Sequence, residues 1–167
     1  AAKRLGAGQI IVSGLARDSK RLEIAKTFGA DAVIDVEKDD LIETVYGLTD
    51  GQGTDAVLDL AGGPNTLVDG IGCVKKAGTV VFASAGTVSN FPANLMTAKR
   101  VTLKAVRGHS YQAVETAIEL ISSGNYPVDL MATHQFGLDQ VDLGVRSIGG
   151  EGAADAIHVS IIPSRDV

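Results

Sequence analysis

The sequence is short of cysteine, of basic charge and of long apolar runs. A single cysteine, Cys73, excludes an intrachain disulfide framework and any cysteine-rich zinc site in this chain. A reducing compartment, the cytoplasm, is the expected setting. No apolar run reaches the roughly 20 residues that a bilayer-spanning helix needs, so no membrane partner is expected. Fifteen Lys and Arg stand against twenty Asp and Glu, a net charge of −5. That balance argues against nucleic-acid binding driven by bulk positive charge, and leaves room for a small anionic ligand held by local groups. The opening stretch AAKRLGAGQ is too short and too polar for a secretory signal. With no initiator methionine, the chain is expected to continue a longer polypeptide.

What is present is apolar residues, 45% of 167, and twenty glycines without a low-complexity tract. The hydrophobic period switches repeatedly between two and about 3.6, the mark of alternating strands and helices. Strands are expected at 9–13, 32–35, 56–60, 79–83, 101–106, 135–136 and 156–161. Helices are expected at 18–28, 39–48, 65–74, 111–122 and 138–148. Single helices between strands at this spacing predict an α/β fold with a doubly wound parallel sheet. In such sheets ligands bind beyond the carboxyl ends of the strands. Those ends read Ser13-Gly14, Asp35-Val36, Leu60-Ala61-Gly62-Gly63, Ala83-Ser84-Ala85-Gly86 and Arg107-Gly108. Small residues gather there, which suits a flat ligand. Strand-to-helix turns also use glycine for their own geometry, and the pattern admits both readings.

Gly6-Ala-Gly8 is not a dinucleotide fingerprint, because a helix fragment precedes it and a strand follows, the reverse of what that motif needs. The end of the first strand is more informative. Dinucleotide-binding sheets carry an acidic residue there for the adenosine ribose, whereas this sequence has Gly14. No carboxylate at 14 repels a 2′-phosphate, and Arg17, with Lys20 or Arg21 as alternatives, is in reach of one. Asp18 beside Arg17 weakens that argument. Asp59 ends a strand and serves either a nearby ligand or its own turn. His134 and His109 raise the catalytic question by residue type, but neither has a nucleophile beside it in sequence. Cys73 sits on an apolar helix and reads as core.

The stretches RLEIAKTFGADAVIDVEKDDLIETVYGLTDGQGTDAVLDLAGG, LVDGIGCVKKAGTVVFASAG and VTLKAVRGHSYQAVETAIELISSGNYPVDLMATHQFGLDQVDLG resemble the zinc-dependent medium-chain alcohol and polyol dehydrogenases. GAD at 29–31, GTDAVLD at 53–59 and Thr-His at 133–134 follow that family's order and spacing. The resemblance covers nearly the whole chain and matches the family's C-terminal part.

The resemblance implies a Rossmann domain over 1–108 that lacks its first, central strand, and a segment over 109–167 returning toward a catalytic domain. It implies NAD or NADP as cofactor, with a lean to NADP because Gly14 replaces the ribose-binding acid. Ser13, Gly14 and Arg17 fall at the adenosine ribose, and Leu60 and Ala61 beside the nicotinamide ribose. Ala83, Ser84, Ala85, Val106 and Arg107 fall at the carboxamide, and His158 near the pyrophosphate. No residue here matches a catalytic group or a zinc ligand; the family's zinc sites lie upstream of the matched part. The implied activity of the longer enzyme is hydride transfer between a small alcohol and the cofactor. A zinc-free quinone or enoyl reductase, or a nucleotide-binding module without catalysis, fits the same residues. A homo-oligomer is expected, with the strand at 101–106 as a candidate edge.

Overall fold

The computed structural model describes residues 1–83 and 86–163. Contacts group the chain into two units, Ala1–Asp35 with Tyr111–Val167, and Val36–Ser110. All strand pairs in both units are parallel, so each strand pair is joined by a crossover rather than a hairpin.

In the first unit, β1 (Ile11–Gly14) lies in register with β2 (Ala32–Asp35), Gly14 opposite Asp35. The crossover is a 3-10 turn, Ala16–Asp18, then α1 (Ser19–Thr27). Asp18 organises this entry: it accepts from the Leu15 amide at 3.3 Å and pairs with Arg21 at 2.7 Å. That explains why the helix starts one residue later than the sequence suggests. Leu22 turns inward, Ile34 is fully buried, and Gly29, at φ +94°, ends the helix. Further along are α5 (Tyr111–Ser122), β6 (Ala132–Phe136), α6 (Val141–Ile148) and β7 (His158–Ile161). Gly144 lets α6 lie close on the β6–β7 pair, since a Cβ there would stand 2.9 Å from Ile161. Side-chain bonds tie the separated stretches of this unit together: Arg4 to Glu119 at 2.8 Å and to the Thr116 carbonyl at 3.5 Å, and Arg21 to the Ala156 carbonyl at 2.5 Å.

The second unit holds α2 (Leu41–Leu48), β3 (Thr54–Asp59), α3 (Thr66–Cys73), β4 (Val74–Phe82), α4 (Ala93–Lys99) and β5 (Thr102–Ala105). Asp40 caps α2 by accepting from the Glu43 amide at 2.8 Å. The strands form one sheet in the order β3-β4-β5. Its core is Leu67, Ile71, Val74, Val80 and Val101. Lys99, the last residue of α4, donates from Nζ to the carbonyls of Ile71, Gly72 and Val74, and lies 5.4 Å from the centre of the Tyr46 ring. One cation thus satisfies carbonyls that the end of α3 leaves open.

Several elements depart from the sequence expectation: residues 1–7, expected as a helix fragment, form turns, β6 begins at Ala132 rather than Gln135, and β7 begins at His158 rather than Ala156. β4 begins at Val74, where it pairs with Thr54, rather than at Thr79. The intervening Lys-Lys-Ala-Gly lacks strand formers, and a register shift separates the two pairings. The helix α4 was not expected, because Ala-Asn-Leu-Met-Thr-Ala-Lys is short and has no clear apolar period.

Candidate functional site

The three strands of the second unit end level with one another. Asp59 stands opposite Phe82, and Phe82 opposite Ala105. The ladder runs one step past the strands: the Ala83 amide donates to the Asp59 carbonyl and the Val106 amide to the Phe82 carbonyl, both at 3.0 Å. Leu60, Ala61, Ala83, Val106 and Arg107 therefore follow the three strands along one carboxyl edge. Ser84 and Ala85 lie outside the described residues. All five described residues are exposed, Leu60 at 75% and Val106 at 39%. Apolar side chains held in water at a strand edge are a surface that gains by covering a ring.

The first of these loops is shaped by Asp59, which is buried. Its carboxylate accepts from the Ala61 amide at 3.1 Å, the Gly62 amide at 3.3 Å and the Thr66 hydroxyl at 3.0 Å. Gly62 takes φ +65°. A Cβ on Gly86 would stand 2.8 Å from the Gly62 carbonyl oxygen, so the chain after β4 comes close against this turn. Sequence reasoning left Asp59 between ligand and turn, counted Gly86 only among the small residues at the strand ends, and missed Thr66. Hydroxyl or glycine at those places becomes meaningful only once the loop is folded.

In the first unit, Ser13 and Gly14 end β1. A Cβ on Gly14 would stand 3.3 Å from Leu22 and 3.4 Å from Asp18, so a larger residue would press on the α1 contact. Asp18 is engaged by Arg21, not by Arg17, and Arg21 also holds the Ala156 carbonyl. Arg17 is exposed and forms no ion pair among the described residues.

His158 opens β7 opposite Ala132 and is exposed. Its carbonyl accepts from the Thr133 hydroxyl at 3.3 Å. Thr133 also accepts from the Ile157 amide at 2.9 Å and lies 3.0 Å from His134 Nδ1. The His134 ring stacks on Phe136 at 6.1 Å. This pair of residues knits β6 to the chain entering β7. His109 is exposed. Cys73 is buried, and burial, with the Asp69 charge adding to it, pushes its thiol up to about 11, so it is neither a nucleophile nor a thiolate ligand at neutral pH. Among the described residues no group of three or more His, Cys, Asp or Glu is placed to hold a metal ion. These residues do not fit a zinc centre, and zinc is given no role in what they do.

A family model described as zinc-binding dehydrogenase matches residues 1–123. L-threonine 3-dehydrogenase of Pyrococcus abyssi is 34% identical over 145 residues, covering 84% of this chain and 41% of that protein. Sorbitol dehydrogenase of Halalkalibacterium halodurans is 29% identical over 160 residues, covering 93% of this chain and 45% of that protein. The crystal structure of an Escherichia coli oxidoreductase/dehydrogenase of unknown specificity superposes with TM-score 0.84 at 28% identity, over 99% of this chain and 46% of that one. The chain thus spans less than half the length of the relatives it matches. Its α/β architecture is the Rossmann type of those dehydrogenases, and it belongs to the zinc-binding, medium-chain dehydrogenase family.

Proposed function

We propose that this chain is the cofactor-placing part of an NAD(P)-dependent alcohol or polyol dehydrogenase. The observation that carries this reading is the level row of strand ends after Asp59, Phe82 and Ala105, closed by small or solvent-facing residues. Leu60, Ala61, Ala83, Val106 and Arg107 receive the nicotinamide half, with backbone groups meeting the carboxamide and the apolar side chains covering the ring; Ser84 and Ala85 belong to the same proposal. Bound nicotinamide supplies a hydride donor or acceptor for interconverting an alcohol and a carbonyl compound. These residues hold its ring against a fixed backbone, and placement of reacting carbons is itself a large share of such catalysis.

Ser13, Gly14 and Arg17 receive the adenosine ribose, and the lean is to NADP. Position 14 offers no carboxylate, Arg17 forms no ion pair among the described residues, and Arg21 is already occupied. His158, exposed at the start of β7, is assigned to the pyrophosphate. Residues 109–167 are assigned to the return toward a catalytic domain, and the free edge of β5 to pairing between copies.

Titration of the chain with NADPH and NADH, read by nicotinamide fluorescence, tests the assignment. NADPH is expected to bind more tightly, and Arg17→Ala to weaken NADPH by about tenfold while leaving NADH unchanged, the effect of losing a charged hydrogen bond. Equal losses for both cofactors refute the 2′-phosphate role. His158→Ala is expected to weaken both alike.

A further inference from the structure

We propose that Asp59 is a positioning residue for the nicotinamide half of the cofactor, acting through the backbone of residues 60–66; this rests on the cofactor reading above. Asp59 closes β3 and is only 7% exposed. A carboxylate so far removed from water needs donors, and the loop after β3 supplies three of them. One oxygen accepts the Ala61 and Gly62 amides at 3.1 and 3.3 Å, and the other accepts the Thr66 hydroxyl at 3.0 Å. Thr66 is the first residue of α3, and its hydroxyl is also 3.1 Å from the Gly63 carbonyl. Both ends of the loop are thereby fastened to one side chain at the end of β3. Leu60 and Ala61, between strand and fastening, are held out toward solvent instead of folding back on the sheet.

The same carboxylate reaches the second loop through contact. It holds the Gly62 amide, and the Gly62 carbonyl is the atom that leaves no room for a side chain at Gly86. A turn needing only local satisfaction would involve one loop. Here one buried side chain fixes the loop after β3 and, through Gly62, bounds the space at Gly86. Bonds from backbone amides to a carboxylate suit this work, being directional and stronger than neutral ones.

The test uses the full chain with two ligands, NADPH and 2′-phospho-ADP-ribose, the second lacking nicotinamide. Asp59→Asn keeps the size but replaces an acceptor oxygen with a donor NH2. The expected result is NADPH binding weakened by about tenfold, as for a lost hydrogen bond to a charged group. The 2′-phospho-ADP-ribose affinity is expected to stay within about twofold, and amide hydrogen exchange at Ala61 and Gly62 to speed up. Thr66→Val, which leaves the amide bonds in place, is expected to give a smaller loss with the same ligand selectivity, and carries the test if Asp59→Asn fails to fold. Equal losses for the two ligands overturn the proposal in favour of a general structural role. Faster exchange with unchanged NADPH affinity overturns it in favour of a turn with no part in binding. If the unaltered chain binds neither ligand, the cofactor reading itself falls, before any variant is made.

Discussion

Helices α3 and α5 are both amphipathic, yet α3 buries five of its eight residues and α5 none of its twelve. The reason is connection. The helix α3 joins β3 to β4, which are hydrogen-bonded neighbours, so it must pack back across them, and Gly70 and Ile71 lie against Val57 and Val80. The helix α5 runs between β5 and β6, which belong to different sheets, and no such closure obliges it to pack. Tyr111, Val114, Ile118 and Ile121 form a stripe at helical spacing that stays in water. A matching periodicity in two helices therefore says which face is apolar, not whether anything covers it.

Truncation should make the contrast visible. Ile71→Ala, at a fully buried site, is expected to cost about 2–5 kcal/mol in denaturant unfolding, the usual range for emptying a packed core position. Ile118→Ala, 58% exposed, is expected to stay within about 0.5 kcal/mol. Similar costs at the two sites would mean that α5 is packed after all. Next in size is Lys99→Met, which keeps the stem but strips three carbonyls of their donor. A loss of about 2 kcal/mol is expected, the scale of hydrogen bonds to a charged group. The smallest effect concerns Asp55, whose carboxyl is held below its ordinary value by the hydrogen bond and charge of Lys75. A folded-state value below the unfolded one adds stability at neutral pH that disappears as pH falls through the folded value. Unfolding of the unaltered chain and of Asp55→Asn, followed from neutral pH downward, should converge only below the ordinary carboxylate range.

Much of the fold was legible because it is written locally. The strand at 32–35 and the helix at 111–122 have the limits that periodicity and end signals indicate. What was not legible depends on meetings across the chain. Val74 becomes a strand residue only because Thr54 lies beside it. The small residues at the strand ends were visible in sequence, but their alignment on one edge is a property of register, which no single segment encodes. Arg17 shows the same limit. Sequence proximity paired Asp18 with it, whereas the 3-10 turn hands that carboxylate to Arg21.

The first unit is assembled from two stretches of polypeptide with the entire second unit between them, and Arg4–Glu119 and Arg21–Ala156 are the knots that join them. A ribosome delivers these stretches at different moments. The uninterrupted stretch from Val36 to Ser110 emerges with all its partners in hand and is free to settle at once. Residues 1–35 meet the later stretch only after the whole of Val36–Ser110 has been made, so the first unit is completed later in translation than the second.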